Sequence, residues 1–256
     1  MERSEYDKLD RAEDLMWWFA AAHANLIALY RHASPGPCAG SILDAGSGTG
    51  GLLHRLGTDF PESAVLGLDA DPQGCARARA KSGRPVCVGS VNALPFARSG
   101  FAAIFSADVL CHRDVDVARA LTQFHCCLAQ EGVLVLNLPA YRWMLSRHDE
   151  AVYNVRRYTR GGVAALLRSA GFRPLFVSYW NMILFPIMVL RRKLLPLLRP
   201  GPGSSPVSDV RLYSRPAELL CRAATGIERG LLRRGVRLPF GGSVIAIAAK
   251  AGHVDA

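Results

Sequence analysis

Short apolar runs recur along the chain, and helical patterns lie between them. The runs that predict buried strands lie at 41–44, 65–69, 86–89, 101–106, 132–137, 172–179 and 243–249. Helical spacing of apolar residues is found at 52–56, 72–82, 115–129 and 160–170. Strands that alternate with helices in this way run parallel and are joined by right-handed crossovers. The pattern therefore predicts an α/β fold with helices on both faces of a mostly parallel sheet.

A further helix is predicted before this core, over residues 5–32. Its apolar positions fall near one face, at Leu9, Leu15, Trp18, Ala22, Leu26 and Leu29. The Pro-Gly-Pro at 35–37 breaks the pattern, because proline and glycine do not continue a helix. We expect this helix to form a cap on the core.

About sixty residues before the last strand exceed what a plain α/β sheet needs. They hold an apolar segment, a Pro/Gly/Ser-rich break at 200–206 and a basic helix over about 214–234. We therefore divide the chain into a core, made of 1–179 and 238–256, and a helical insertion over 180–237.

Charge is concentrated in the same part of the chain. The formal net charge is +10, and from Phe185 onward there are twelve Lys or Arg against four Asp or Glu. Such an excess indicates an anionic partner. Because the cations alternate with Leu, Ile and Val rather than with aromatic and polar residues, a membrane surface fits better than nucleic acid.

The apolar segment over 180–199 is interrupted by Pro186 and by three cations at 191–193. A membrane-spanning helix needs about 20 apolar residues, so this segment is too short to span. It fits a contact in the membrane interface, a lid over an apolar pocket or a contact between two copies in a homodimer. Under the first two roles the substrate would be hydrophobic.

The seven cysteines show no CxxC spacing and no His/Cys cluster, so no metal site is expected. The first ten residues carry four acidic side chains and lack the apolar run of a secretory signal. We therefore expect a cytoplasmic protein with reduced thiols, which binds the inner face of the membrane if the insertion is a membrane contact.

A glycine cluster follows the first predicted strand, at residues 46–51 (GSGTGG), and the second strand ends in Asp69. The spacing also fits a dinucleotide fingerprint, in which the turn binds a pyrophosphate. Asp44, two residues before the first glycine, would repel that group but attract the ammonium and sulfonium of S-adenosylmethionine. One such contact at ~4 Å and an effective dielectric of about 20 contributes roughly 4 kcal/mol before desolvation. The charge favours S-adenosylmethionine, while helix capping is the structural alternative for both aspartates.

The segment ILDAGSGTG at 42–50 resembles the first motif of class I S-adenosylmethionine-dependent methyltransferases. GLDAD at 67–71, SVNALPF at 90–96, SADVLCH at 106–112 and the stretch 128–138 resemble the motifs that follow it. Many members have Asp where this chain has Ser90. The resemblance implies a Rossmann-like seven-stranded sheet with an antiparallel last strand, and S-adenosylhomocysteine as product. It implies cofactor contacts for Asp44, Gly46, Ser47, Gly48, Gly50, Asp69, Ala70, Ser90, Val91, Asn92, Ser106 and Asp108.

The resemblance extends to a bacterial subgroup through four short motifs. They are Trp-Trp-Phe at 17–19, His-Asp at 148–149 before Arg-Arg-Tyr-Thr at 156–159, Tyr-Trp-Asn at 179–181 and Pro-Phe-Gly at 239–241. Members often have a His just before the Arg pair, where this chain has Val155. The subgroup itself implies little about the substrate.

Methyl transfer to a hydroxyl or amine needs a base only where the acceptor must lose a proton. His112 follows the fourth strand and titrates near neutral pH, so it is the first candidate, with a structural role as the alternative. His148 with Asp149 is the second, because a carboxylate can orient an imidazole. Adjacent residues on a loop often point apart, which leaves a structural role open here too.

Five residues are candidates for binding the acceptor: Trp17, Trp18, Tyr141, Arg157 and Tyr158. A helix cannot bury three consecutive aromatics on one face, so at least one of residues 17–19 should cover cofactor or substrate. The Arg157 guanidinium can bind an acidic group with two prongs, although a solvated basic turn is the alternative.

The sequence thus predicts an S-adenosylmethionine-dependent methyltransferase that acts on a small, hydrophobic acceptor by O-, N- or C-methylation. Two alternatives remain at this point: an enzyme that uses the same fold and cofactor for another reaction, and a non-catalytic membrane-surface protein. A nucleic-acid methyltransferase is disfavoured, because the Asn/Asp-Pro-Pro-aromatic tetrad is missing at 106–112.

Overall fold

The computed structural model describes residues 7, 10–34, 40–194 and 213–251. Its centre is one sheet of seven strands in the order β3-β2-β1-β4-β5-β7-β6. The strands are β1 Ser41–Ala45, β2 Val65–Asp69, β3 Val86–Val88, β4 Phe101–Ala107, β5 Leu128–Pro139, β6 Phe172–Trp180 and β7 Ser243–Lys250. β7 lies antiparallel between β5 and β6, and β1 to β5 pair in parallel. The predicted fold class, including the antiparallel last strand, is confirmed.

Helices cover both faces of the sheet. They are α1 Trp17–Ala33, α2 Gly51–Asp59, α3 Pro72–Ser82, α4 Val117–Cys127, α5 Arg147–Ala151, α6 Arg160–Ser169, α7 Phe185–Val189 and α8 Arg215–Arg233. α1, α2 and α3 pack on one face, and α4 and α6 pack on the other. A π-helical turn at Leu190–Leu194 follows α7.

The helix predicted over 5–32 is interrupted: residues 10–12 are helical, but the helix does not continue through residues 13–16. Residues 13–15 form a turn, Met16 is extended, and the continuous helix begins at Trp17. Leu15, expected on the buried face, is 57% exposed. A long-range contact causes the change, because Glu218 on α8 accepts a hydrogen bond from the Trp17 N–H at 2.8 Å and so caps α1. Leu9 and the breaks predicted at 35–37 and 200–206 lie outside the described residues.

The insertion between β6 and β7 contains α7, the π-helical turn and α8, and α8 packs along α1. Glu218 joins the two helices, since its second oxygen accepts from the Tyr213 N–H at 3.2 Å beside the start of α8. Carboxylates are favoured at helix N-termini, where backbone N–H groups have no helical partner. The exact division at 180 and 237 remains a prediction.

α8 buries polar side chains and exposes large apolar ones. Thr225 and Glu228 are 1% and 0% exposed, whereas Leu219 and Leu220 are each 69% exposed. Glu228 accepts a hydrogen bond from the Ile183 N–H at 2.7 Å, which fixes the chain after β6 against α8. The inner face of the helix therefore combines these polar contacts with the buried core residue Leu232, while Leu219, Leu220 and Ile227 point outward.

Candidate active site

A cavity of about 540 Å³ opens at the carboxyl ends of β1, β2 and β4. Ligands of open parallel sheets bind at this edge, where the strand order reverses around β1 and β4. One side, which we term the strand-end wall, is formed by cavity-lining residues between 44 and 52, 68–70, 89–91 and 107–115. A second group of lining residues, which we term the helical wall, lies between 13 and 23, 148 and 157, and 181 and 192, with Tyr213 and Cys221; its segment 148–157 adjoins the strand-end wall through a β-bridge between His112 and Asn154.

The glycine turn brings backbone close to its neighbours at the base of the strand-end wall. Gly46 has φ 92°, and a Cβ there would lie 2.2 Å from Cγ2 of Val109. Gly50 has φ 96°, and its Cβ would lie 2.6 Å from Cα of Ala78 on α3. Both positions therefore exclude a side chain on two counts, the backbone conformation and the lack of space.

Asp44 is buried beside this turn, 1% exposed, and lines the cavity. Its Oδ2 has no hydrogen-bond partner among the described residues. Burial raises the pKa of Asp44 to about 8, and the negative charges of Asp69 and Glu13 add to the shift. A buried carboxylate with an unpaired oxygen facing a cavity suits a cationic ligand, which would restore its charge.

Asp69 lies half-buried at the end of β2 and also lines the cavity. Its two oxygens accept hydrogen bonds from the Gly48 N–H at 2.8 Å and the Asp71 N–H at 2.9 Å. These bonds fix the carboxylate while leaving further lone pairs for a ligand. Ala70, Ser90 and Val91 line the cavity beside it. The Ser90 Oγ accepts from the Asn92 N–H at 3.2 Å, so it closes a local turn.

A buried chain of hydrogen bonds reaches the cavity from the far strands. The Trp180 Nε1–H donates to Asn137 at 2.7 Å, and the Asn137 amide donates to Asp108 at 2.9 Å. Burial raises the pKa of Asp108 to about 7 against the lowering effect of Asn137. The Asp108 carboxyl therefore sits in the cavity wall at a fixed angle, at the end of β4.

Two ionisable residues of the helical wall were missed by the sequence analysis. Glu13 is 6% exposed, pairs with Lys81 on α3 and lines the cavity, and burial raises its pKa. His23 lies one helical turn and a half beyond Trp17 on α1, and burial lowers its pKa to about 4. The turn at 13–15 turns Glu13 inward. The apolar spacing over 5–32 predicts one continuous helix, so the sequence pattern gave no sign of the turn or of a buried Glu13.

The aromatic motif at 17–19 lies at the start of α1, and all three residues line the cavity. Trp17 is 8% exposed, and its Nε1 has no hydrogen-bond partner within the described ranges. Trp18 packs against Trp180 with ring centroids 5.9 Å apart. The helix thus uses these residues both to close the cavity and to contact the sheet.

His112 and His148 both line the cavity. Burial lowers the pKa of His112, so the imidazole is neutral at physiological pH. His148 belongs to the short helix α5, next to Asp149.

Asp149 holds Arg157, in a buried ion pair. Its two oxygens accept from Nε and NH2 of Arg157 at 2.9 and 3.0 Å, and the second oxygen also accepts from the Ser146 N–H. Burial alone would raise the pKa of Asp149, but the Arg157 bonds and charge lower it overall. Arg157 lines the cavity and donates to the Ala140 carbonyl at 3.0 Å, so it is fixed in place.

Six predicted site residues do not line the cavity: Gly50, Asn92, Ser106, Tyr141, Asp149 and Tyr158. Three have clear structural partners, since Ser106 donates to the Ala45 carbonyl, Tyr158 donates to the Leu110 carbonyl, and Tyr141 stacks on Tyr179. The Asn92 amide bonds the Asp114 carbonyl and the Asp116 N–H. A role for Tyr141 in binding the acceptor stays a prediction.

The insertion supplies much of the helical wall. Its lining residues are Asn181, Leu184, Ile187, Met188, Arg191, Arg192, Tyr213 and Cys221. Arg191 donates to the Tyr213 hydroxyl at 2.9 Å, which joins the π-helical turn to the residues just before α8. Nowhere in residues 40–194 or the other described ranges do three or more His, Cys, Asp or Glu side chains form a group that could hold a metal ion.

Residues 42–132 match a family model described as a methyltransferase domain. These residues comprise β1 to β4 with their helices and the first part of β5, and they include the whole glycine turn. No curated protein has a significant sequence match to the chain.

Several solved methyltransferases share the fold at low sequence identity. A geranyl diphosphate methyltransferase in complex with S-adenosylmethionine has a TM-score of 0.58 and 17% identity, over 90% of this chain and 85% of that one. The geranyl diphosphate C-methyltransferase of Streptomyces coelicolor A3(2), with Mg2+, geranyl diphosphate and S-adenosyl-L-homocysteine bound, has a TM-score of 0.56 and 15% identity, over 89% of this chain and 77% of that one. Phosphoethanolamine N-methyltransferase 2 of Haemonchus contortus, with S-adenosyl-L-methionine bound, has a TM-score of 0.57 and 15% identity, over 89% of this chain and 52% of that one. Neither alternative from the sequence analysis gains support from these matches.

Proposed function

As this chain is a class I S-adenosylmethionine-dependent methyltransferase, we propose that it methylates a small amphiphile with an apolar chain and an acidic group. The composition of the helical wall carries this proposal. Leu184, Ile187 and Met188 give it an apolar surface, and Arg191 and Arg192 add two cations beside Arg157, whose own charge is balanced by Asp149. An acceptor with only one of the two characters would leave part of this wall unmatched.

The cofactor would lie along the strand-end wall. When bound, S-adenosylmethionine supplies a methyl group already activated by its sulfonium. Asp69 accepts hydrogen bonds from the ribose hydroxyls, and Ser90 with Val91 borders the adenine. Asp44 faces the cationic end, where its unpaired buried oxygen and raised pKa leave it with an unmet need for positive charge.

The acidic group of the acceptor would be held by the arginines of the helical wall. Arg157 is the most rigid of the three, because Asp149 and the Ala140 carbonyl fix its guanidinium. Arg191 is positioned by Tyr213. Charge-assisted bonds to such fixed donors orient an acceptor, and orientation contributes much of the rate in a direct displacement.

His112 is the proposed base for an acceptor that must lose a proton. It lies on the strand-end wall four residues after Asp108, and its lowered pKa keeps Nδ1 or Nε2 free to accept a proton at neutral pH. His148, on the helical wall, is the second candidate. The Asp149 carboxylate accepts hydrogen bonds from Arg157 and Ser146, and its charge also interacts with that of His148.

The cofactor assignment is tested by calorimetry with S-adenosylmethionine, S-adenosylhomocysteine and NAD, on the wild type and on Asp69→Ala. We expect micromolar binding of the first two ligands, loss in the variant and no binding of NAD. Binding of NAD, or an unchanged affinity in Asp69→Ala, would contradict the proposed cofactor site.

The acceptor class is tested with labelled S-adenosylmethionine and a series of fatty acids, prenyl phosphates and neutral alcohols of equal chain length. We expect transfer to the acidic amphiphiles, with a KM that rises about tenfold or more in Arg192→Gln. Arg168→Gln is the matched control, because Arg168 is exposed on α6 and does not line the cavity. Equal turnover of the neutral alcohols would refute the acidic-group part of the proposal.

A further inference from the structure

Seven large aliphatic side chains are exposed on the insertion. They are Ile183, Ile187, Leu190, Leu194, Leu219, Leu220 and Ile227, with between 43% and 69% of their surface exposed. We name this set the apolar rim. On α8 three large aliphatic side chains face outward, although the usual surface helix turns its apolar residues inward; its buried positions are Thr225, Glu228 and Leu232. Exposed apolar clusters of this kind mark a contact surface.

The rim belongs to neighbouring elements beside the cavity mouth. Glu228 bonds the Ile183 N–H, and Arg191 bonds the Tyr213 hydroxyl, so α8 runs alongside the segment 183–191. Ile187 and Arg191 of that segment also line the cavity, as do Tyr213 and Cys221. A partner on the rim would therefore lie next to the entrance.

Cations accompany the rim. Between residues 183 and 194 and between 213 and 222 there are five Lys or Arg: Arg191, Arg192, Lys193, Arg215 and Arg222. The one acidic residue in these ranges, Glu218, is engaged by the N–H groups of Trp17 and Tyr213. The rim thus combines exposed aliphatic groups with an unbalanced positive charge.

We propose that the apolar rim docks on the surface of a bilayer that contains anionic phospholipids. The aliphatic side chains enter the interface, and the flanking cations meet the headgroups. A second copy of the chain fits less well, because a two-fold contact would bring the same cations face to face. No helix in the described part of the chain is long and apolar enough to cross a membrane, so the contact lies along the surface. Its position gives a membrane-borne acceptor a short path to the cavity.

The test is flotation of the full chain with vesicles of phosphatidylglycerol and phosphatidylcholine, beside vesicles of phosphatidylcholine alone. We expect binding to the anionic vesicles that falls sharply at high salt, because salt screens exposed charges. The double variant Leu219→Ser/Leu220→Ser should reduce binding about tenfold or more. Val88→Ser is the matched control, since Val88 is 53% exposed on the edge strand at the other end of the sheet.

A charge variant tests the second half of the proposal. Arg215→Ser should weaken vesicle binding about fivefold, the change for one basic residue near an anionic surface. Arg168→Ser should not change it. Absence of binding to anionic vesicles, or equal losses in rim and control variants, would overturn the proposal. So would a wild-type dimer in light scattering that dissociates in Leu219→Ser/Leu220→Ser without any vesicle binding.

This docking surface shares Ile187, Arg191 and Arg192 with the helical wall, but its test uses Leu219, Leu220 and Arg215, which do not line the cavity, and calorimetry separates the failures of the two proposals. The rim double variant should bind S-adenosylmethionine as the wild type does, because Leu219 and Leu220 do not line the cavity. Loss of vesicle binding with intact cofactor binding is therefore a result about the rim alone.

Discussion

The two walls of the cavity are built in different ways. The strand-end wall comes from the continuous stretch between β1 and the loop after β4, where backbone geometry at strand ends sets every position. The helical wall comes from separate segments joined by a few long-range side-chain bonds, such as Glu218 to Trp17 and Glu228 to Ile183. The first wall should therefore be intolerant of small changes in backbone, and the second should respond mainly to changes in individual polar groups.

The largest effect is expected at the glycine turn. In Gly46→Ala the new Cβ would meet Val109 at 2.2 Å in a backbone conformation unfavourable for alanine. We expect a loss of about 2 to 5 kcal/mol in the free energy of unfolding and more than a hundredfold loss of cofactor affinity. Urea unfolding and calorimetry measure the two effects.

Gly83→Ala is the matched control for that change. Gly83 also has positive φ, 66°, at the end of α3, but nothing lies within 4 Å of its Cβ position. It should cost only about 1 to 2 kcal/mol and leave cofactor affinity unchanged. Equal losses in the two variants would mean that the strand-end wall is not tightly packed around its turn.

The next effect concerns the base. His112→Gln should lower kcat by about 10²–10⁴-fold with cofactor affinity within threefold of the wild type. Because burial lowers the pKa of His112, wild-type kcat should decline only in solution more acidic than that in which an exposed histidine gains its proton. The variant should lose that decline. His148→Gln should lower kcat less than tenfold, and the opposite ranking would move the base to the helical wall.

A smaller effect, with opposite signs for folding and binding, is expected at Asp44. The pKa of Asp44 is about 8, above the ordinary value of 3.8, so the folded protein binds the proton more tightly than the unfolded chain does. The resulting contribution to the free energy of unfolding is fully present below about pH 4 and is lost as the pH rises to about 8. Asp44→Asn should stabilise the cofactor-free protein at pH 8 by on the order of 2 kcal/mol. It should weaken S-adenosylmethionine binding about 10- to 100-fold.

The pH series of unfolding and calorimetry checks the Asp44 prediction. Asp59→Asn is the control, because Asp59 forms surface ion pairs with Arg31 and Arg55 and should change stability by less than about 1 kcal/mol. A destabilised Asp44→Asn at pH 8 would show that the carboxylate is satisfied in the cofactor-free protein.

The smallest effect is expected at Ser90. Its hydroxyl closes a local turn with the Asn92 N–H, so Ser90→Ala should weaken cofactor binding less than threefold. Ser90→Asp should strengthen binding by up to about tenfold, because a carboxylate accepts a stronger bond from the adenine amino group. Calorimetry of the three proteins decides, and a weaker Ser90→Asp would place the adenine away from this residue.

Sequence reasoning worked best where local backbone determines position. The bounds of β2 and α3 agree with the prediction, and the glycine turn with Asp44 and Asp69 lies at the cavity. Periodicity and turn chemistry are short-range properties, so one segment carries enough information to place itself.

The same reasoning worked less well where a distant residue decides. The start of α1 is capped by Glu218, some two hundred residues away, and Glu13 is paired with Lys81 on α3. The directions of Tyr141 and Tyr158 depend on Tyr179 and on the Leu110 carbonyl. The short subgroup motifs could be recognised but not paired: Arg157 with Asp149, Trp18 with Trp180, and Gly241 against the Trp180 backbone.

Glu218 has a kinetic consequence. Because one carboxylate binds the N–H groups of Trp17 and Tyr213, the lining residues of α1 and those at the start of α8 are mechanically coupled. A motion of the start of α8 that opens the cavity for the methylated product must then also displace the start of α1, whose residues line the same cavity. Product and spent cofactor would leave in linked steps, and the rate of that shared opening would set an upper limit on turnover.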